Sequence, residues 1–267
     1  MFRGTMSQAT ADAHDALALA GLVVLVTGAS SGIGRAIALA AASEGADLVI
    51  TYRRNEAGGQ ATAADIRKLG RRVLLRQVDI SRQEEIEGLA AAAMAELGRV
   101  DAWINNAGAD ILTGEGAALS RLDKLDRLLA VDVRGTMMAS WAAAELMQRQ
   151  AAGGTIINMS WDGALTGLEG ENPELFSAMA GAILSYSKSL ARTAAPKVRV
   201  NVLGPGWIET AFGEGAPRQF RERIRRRIPL GRWGTPEDVA KAAIFLASGA
   251  ARYVTGQMIL VNGGEVM

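Results

Sequence analysis

The chain has 267 residues, 49% of them hydrophobic and 21% charged, a balance that fits a globular protein and excludes a disordered one. Its net charge of +1 gives no general attraction to nucleic acid or to an anionic membrane. With no cysteine and a single histidine, His14, there is no route to disulfides, thiolate chemistry or a histidine-rich metal centre.

Residues 1–20 read as a flexible tail. Met1-Phe2-Arg3 is followed by polar and small residues, without the basic start and apolar run of a secretion signal, and Met6 is a second possible start. The apolar stretch over 16–26 is too short to span a bilayer and runs straight into a glycine-rich turn. A cytoplasmic setting is expected, with neither membrane nor nucleic acid as partner. From Gly21 to the end the chain reads as one domain over 21–267. Short β-branched runs at 22–26, 48–52, 73–78, 102–104, 155–159, 198–203 and 258–261 predict strands. Ala-rich amphipathic stretches near 34–44, 56–69, 82–97, 122–150, 175–194 and 236–248 predict helices between them. Strands apolar on both faces and separated by helices imply a seven-stranded parallel sheet, doubly wound, with helices on both sides. Residues 213–228 stand apart: six arginines surround Phe220, Ile224 and Ile228, an apolar spacing that suits one helix face. The charges read better as a solvated face than as a ligand site.

The first strand ends in Thr27-Gly28-Ala29-Ser30-Ser31-Gly32-Ile33-Gly34, directly ahead of a helix. Glycines at such a turn let the backbone approach a pyrophosphate, whose charge the helix N-terminus stabilises. Asn105-Asn106-Ala107-Gly108 follows the fourth strand, and Pro205-Gly206-Trp207-Ile208-Glu209-Thr210 follows the sixth. Gly256-Gln257 and Asn262-Gly263-Gly264 bracket the last. In order and placement these landmarks resemble the short-chain dehydrogenase/reductase family over roughly residues 21–264. The resemblance implies a dinucleotide-binding Rossmann-type fold, with Asp79 and Ile80 against the adenine. It places Asn105, Ala107 and Gly108 along the ribose and phosphates. It places Pro205, Gly206, Ile208 and Thr210 around the nicotinamide. It also implies a homotetramer or dimer assembled through the long helices near 122–150 and 175–194.

Cofactor choice can be argued from charge. An NAD site places an acidic residue at the end of the second strand, against the ribose 2′-hydroxyl. Here Tyr52 is followed by Arg53 and Arg54, whose guanidinium groups suit a 2′-phosphate, so NADP(H) is expected. The alternative is that both arginines are merely solvated loop charges.

Members of this family transfer a hydride between nicotinamide and a carbonyl or alcohol, using a Tyr and a Lys four residues apart on one helix face, with a Ser and an Asn nearby. No Tyr-x-x-x-Lys occurs in this chain. Aligned backward from Ser187-Lys188-Ser189-Leu190-Ala191, the Tyr position falls on Phe176 and the Lys position on Ala180. The Asn position holds Asp132, and the Ser position falls on Ser160 or Trp161. Proton-transferring groups left nearby are Ser160, Asp162 and Asp132, with Glu169, Glu171 and Glu174 in the loop before Phe176. Asp162 stands first among them, because a carboxyl in a pocket lined by Trp161, Phe176 and Trp207 would have its pKa raised. Asp162 and Asp132 could equally be structural acids. Tyr186 lies ten residues beyond Phe176, about 15 Å along a helix, too far to substitute. The resemblance implies an NADP(H)-dependent oxidoreductase of atypical site, acting on a small molecule. The alternatives are a catalytically silent NADP(H)-binding sensor or oligomer partner and, more weakly, a non-redox catalyst.

Overall fold

The computed structural model describes residues 17–267. His14, Met6 and most of the expected tail lie outside the described residues. The tail is shorter than the sequence suggests, because Leu19 is fully buried and its N–H donates to the Glu44 carbonyl.

Seven strands run in chain order: β1 (Val23–Val26), β2 (Asp47–Tyr52), β3 (Val73–Gln77), β4 (Ala102–Asn105), β5 (Gly154–Met159), β6 (Val198–Pro205) and β7 (Met258–Val261). They form one sheet in the order β3-β2-β1-β4-β5-β6-β7, every pairing parallel. A parallel sheet needs cover on both faces. On one face α1 (Gly32–Ser43), α2 (Glu56–Lys68) and α10 (Pro236–Ala247) bury alanines and isoleucines against β1, β2 and β4. On the other, α3 (Gln83–Leu97), α6 (Thr136–Arg149) and α7 (Glu171–Ala194) pack around Trp103, Met147 and Ile156. Trp103 is fully buried, and side chains of this size contribute roughly 1.5–3 kcal/mol each on burial. The chain winds outward from β1 to β3 and then restarts at β4 on the other side of β1. That reversal opens a crevice at the carboxyl ends of β1 and β4, where ligands of open α/β sheets bind.

Three expectations at the helices are corrected. The stretch read as one helix over 122–150 is α5 (Arg121–Leu128), a π-helical turn (Leu129–Gly135), and then α6. A π turn inserts a single residue, which barely disturbs an apolar period. Glu171 and Glu174 are in the first turn of α7 instead of a loop. Pro173 lies in that first turn, where its missing N–H costs nothing. The arginine-rich segment divides into α8 (Ala211–Gly215) and α9 (Arg218–Arg227), with Pro217 between them. A short α4 (Gly114–Ala117) had no sequence signal. No helix among the described residues is long and apolar enough to cross a membrane.

Candidate cofactor cleft and active site

The turn after β1 is built by close backbone approach. Gly28 has φ +66°, and a Cβ there would lie 2.9 Å from the Ala107 Cα. Gly34 packs against the Gly28 carbonyl and the Asn106 amide, leaving no room for a side chain. Thr27 Oγ1 accepts from the backbone N–H groups of Asn106 and Ala107, both at 3.0 Å. The Asn106 amide donates back to the carbonyls of Thr27 (3.0 Å) and Gly28 (3.1 Å). The turns after β1 and β4 are thus clamped together. Ser31 occupies the N-cap of α1 without a side-chain cap, so the first-turn N–H groups have no capping acceptor. An anionic pyrophosphate fits this cradle on two counts: bare glycine backbone and an uncapped helix N-terminus. The methyl of Thr210 lies 3.8 Å from where a Gly32 Cβ would stand, so the loop after β6 reaches the same turn. Ile208 is buried beside Gly234, with a backbone bridge between them.

At the edge of the crevice, Arg53 is half-buried and Arg54 exposed. Arg54 stands 3.7 Å from Glu115 of α4, an exposed pair. Ile80 is buried beside Asp79. Burial of Asp79 works to raise its pKa, but hydrogen bonds from the Ser81 hydroxyl and N–H, with Arg53 and Arg82 nearby, hold it below the usual range. Asn105 requires a correction. Its amide donates to Ser140 Oγ (3.0 Å) and Asn158 Oδ1 (2.8 Å) and accepts from the Trp103 indole (2.9 Å), all out of solvent. It braces β4 from within, and the neighbouring Asn106 is the residue that holds the glycine turn. The Thr27 and Asn106 clamp had no signal in the chain beyond its place in the Asn-Asn-Ala-Gly run.

The crossover from β5 to α7 is aromatic. Trp161 and Phe176 meet edge to face, ring centroids 6.4 Å apart and planes at 70°. Ser160 donates its hydroxyl proton to the backbone carbonyl of Ala180 (3.0 Å), which commits it to α7. Asp162, first among the acids on sequence grounds, is only 2% exposed. Its Oδ2 accepts from the Asn262 amide at 3.2 Å and lies against Gly206, so it faces the ends of β6 and β7 and is sealed from water. Burial pushes its carboxyl up, opposed by the Asn262 hydrogen bond. Glu265, missed in the sequence, shares this corner: its oxygens are buried, burial raises its pKa, and Arg227 stands 3.1 Å away. Glu169 is exposed, and Glu174 pairs with Arg121 at 2.6 Å. Tyr186 donates to the Met137 carbonyl at 3.2 Å, and burial pushes its pKa up to about 12.

Asp132 sits differently. It belongs to the π turn, is half-buried, and accepts from the Ala109 N–H at 2.7 Å through Oδ1. The same oxygen lies 3.4 Å from where a Gly108 Cβ would stand, so the carboxyl touches the loop after β4. Burial pushes its pKa up to about 7, against the pull of the single N–H.

Above these ends, α9 buries Ile224 against Trp233 and Trp207. Arg221 pairs with Glu209 (2.9 Å), Arg225 with Glu222 (3.0 Å) and Arg227 with Glu265, while Arg223 lies over the Phe220 ring. The arginines thus surround an apolar stripe, and three of the six pair with acids. Among the described residues there is no cluster of three or more His, Asp or Glu side chains able to hold a metal ion.

Residues 28–265 match the family model described as "Enoyl-(Acyl carrier protein) reductase". An L-rhamnose 1-dehydrogenase (NAD(P)(+)) from Sphingomonas sp. is 37% identical, the alignment covering 92% of this chain and 96% of the relative. A 3-oxoacyl-[acyl-carrier-protein] reductase from Synechocystis sp. is 34% identical, over 94% of this chain and 99% of the relative. The crystal structure of a short-chain dehydrogenase from Burkholderia cenocepacia in complex with NADP superposes with a TM-score of 0.83 at 32% identity, covering 93% of this chain and 99% of that one. Sheet order, glycine turn and these likenesses lead to one conclusion: the chain belongs to the short-chain dehydrogenase/reductase family of oxidoreductases.

Proposed function

We propose that the protein is an NADP(H)-dependent oxidoreductase acting on a carbonyl or alcohol group of a small molecule, with a proton source other than a Tyr-Lys pair. The observation that carries this reading is the intact cradle of Gly28, Ser30, Ser31, Gly32, Ile33 and Gly34, braced by Asn106 and faced by Thr210. Arg53 and Arg54, with no acid at the end of β2, favour a 2′-phosphate over a free 2′-hydroxyl. The relative named for NAD(P)(+) and the neighbour solved with NADP are consistent with that preference.

When bound, the cofactor supplies the hydride. The chain's own residues do the rest. The α1 N-terminus and the glycine backbone would hold the pyrophosphate, and Asp79 and Ile80 would border the adenine. Ala107 and Gly108 would lie along the ribose, and Pro205, Gly206, Ile208 and Thr210 would flank the nicotinamide. Positioning of this kind supplies much of the rate of a hydride transfer. At the reacting end, Phe176 and Ala180 stand where the family's Tyr and Lys are expected, and Ser160, Asp162 and Asp132 are the groups left to handle a proton. The groove formed by Leu129, Val133, Met137 and Trp141, about 430 Å³ and flanked by Asp126 and Arg134, supports a dimer or tetramer. Its apolar floor and opposite charges suit a two-fold pairing of identical copies.

Titration with NADPH and NADH, followed by a single-turnover assay with activated carbonyls, tests the reading. NADPH is expected to bind more tightly and to be oxidised by at least one carbonyl. Binding without oxidation of any of them would make the protein a silent NADP(H) binder, and equal affinity for the two cofactors would remove the case for the 2′-phosphate.

A further inference from the structure

We infer that Asp132, fixed at the π turn beside the loop after β4, with one carboxyl oxygen on the Ala109 N–H and the other without a protein partner among the described residues, is the catalytic acid that protonates the substrate oxygen. The inference rests on the oxidoreductase reading above and names the residue that reading leaves open.

Geometry eliminates the competing groups. The Ser160 hydroxyl is committed to the Ala180 carbonyl. Asp162 is sealed against Asn262 and Gly206, and Tyr186 is tied to α6 through the Met137 carbonyl. Glu174 is held at the surface by Arg121, and Glu169 and Glu171 are exposed. Among these groups, Asp132 combines partial exposure with contact to the loop after β4. Its Oδ1 meets the Ala109 N–H and the bare backbone of Gly108, while Oδ2 has no protein hydrogen bond among the described residues. The π turn holds it there. Gly135, at the end of that turn, packs so closely on the Ile80 carbonyl that a Cβ would come within 2.8 Å. π turns concentrate at functional positions because the extra residue displaces one side chain from the helical register. The adjoining wall is apolar: Val133 and Phe176 both pack on the cluster of Ile111, Leu128, Leu175 and Met179. No cation is among the groups that shift the Asp132 carboxyl, so burial governs it and keeps a proton on it near neutrality.

The step balances. The carbonyl carbon would gain a hydride as a C–H bond of the reduced nicotinamide breaks, forming the new C–H bond while the π electrons of C=O move to oxygen. That oxygen takes the proton from the Asp132 carboxyl as its O–H bond breaks. The products are the alcohol, the oxidised nicotinamide and the Asp132 carboxylate, which water reprotonates through the open side of the cleft.

Asp132→Asn is the test, since its amide oxygen can still accept from Ala109. Three measurements are made on both proteins: thermal unfolding, NADPH affinity and the pH dependence of single-turnover reduction of 4-nitrobenzaldehyde; a carboxyl carbon-13 titration is added for the unaltered protein. NADPH affinity is expected to stay within about two-fold. The reduction rate is expected to fall by ~10²–10⁴ and to lose its limb near neutrality. Asp132→Glu should restore that limb in part. In the unaltered protein without cofactor, the Asp132 carboxyl carbon should titrate near neutrality. Unchanged rate and pH profile in the Asn variant, with NADPH bound and turned over, would overturn Asp132 and leave the oxidoreductase reading intact. Titration of Asp132 in the ordinary carboxylate range would also overturn it. Failure of the unaltered protein to bind NADPH would bring down the oxidoreductase reading, and the inference with it.

Discussion

Two crossovers of the same sheet meet at its carboxyl end, β1 to α1 and β5 to α7, and they are made of opposite materials. The first is bare backbone: glycines at Gly28 and Gly34 that admit no Cβ, an uncapped helix start, and a polar clamp from Thr27 and Asn106. The second is side chain: the Trp161–Phe176 pair, with Ala180 buried one turn farther along α7. A backbone cradle binds any ligand with the right phosphate geometry and is insensitive to most nearby substitutions. A side-chain site does one kind of chemistry and changes it when two or three residues change. The contrast therefore separates what the protein holds from what it does, and each region can be altered without the other.

The largest effect is expected at the second crossover. Phe176→Tyr with Ala180→Lys places a phenol and an ammonium one helical turn apart on the cleft side of α7. If the first crossover already positions the cofactor, the pair should raise the rate of carbonyl reduction by about 10²-fold, the lower end of what general acid–base help supplies. The upper end is out of reach because Trp161 stands at one of the two positions open to the family's Ser. The measurement is nicotinamide absorbance with an activated ketone. A double variant that binds NADPH normally yet gains nothing would mean that the aromatic corner excludes the substrate.

The next effect belongs to the first crossover. Arg53→Ala with Arg54→Ala should narrow the preference for NADPH over NADH by roughly 10-fold or more, since hydrogen bonds to charged groups contribute about 1.5–3 kcal/mol. Calorimetric titration with both cofactors reads it directly. An unaltered ratio would show that the two arginines are solvated charges and that the 2′-phosphate is held elsewhere. A comparable effect, roughly 10-fold on self-association, is expected on the outer side of the π turn. There Trp141 is 56% exposed and Trp141→Glu removes the apolar floor of the groove, worth about 1.5–3 kcal/mol if fully buried between copies. Light scattering at micromolar protein should then show a smaller species than the unaltered protein forms.

The sheet was legible in the chain because its strands are continuous apolar runs punctuated by glycine, and the glycine turn because its spacing has one steric purpose. Strand ends differ from expectation by only one or two residues, as in β6, which continues through Gly204 and Pro205. The site was legible by residue type and not by direction. Asp162 and Asp132 look alike in sequence, each a lone acid in an apolar setting. Only the fold shows that one is closed in by Asn262, a hundred positions away, while the other is half-buried against the loop after β4. Asn105 was misread for the same reason, because adjacent asparagines at the end of a strand point to opposite sides. The π turn left no mark in the apolar period, and Glu265 had no neighbour in sequence to flag it.

The smallest effect is also the one that reports on the second region without any substrate. Burial pushes the Asp132 carboxyl up to about 7 in the folded protein from an ordinary 3.8, so between those values the folded state keeps a proton that the unfolded chain has lost. The folded state binds more protons, and stability must fall as pH rises through that window, levelling off above it. Asn at this position carries no charge at any pH. Asp132→Asn should therefore be close to neutral at the acid end of the window and stabilising at the alkaline end. Because Oδ2 remains open to water, the gain should be modest, about 1 kcal/mol, or roughly 2–4 °C in Tm for a domain of this size. Thermal unfolding of both proteins from pH ~4 to ~8 gives the difference, with the endpoints set by the same window. Curves that run parallel across that range would mean that Asp132 ionises like a surface carboxylate. The wall formed by Val133, Phe176 and the Ala109 loop would then be far wetter than its packing indicates.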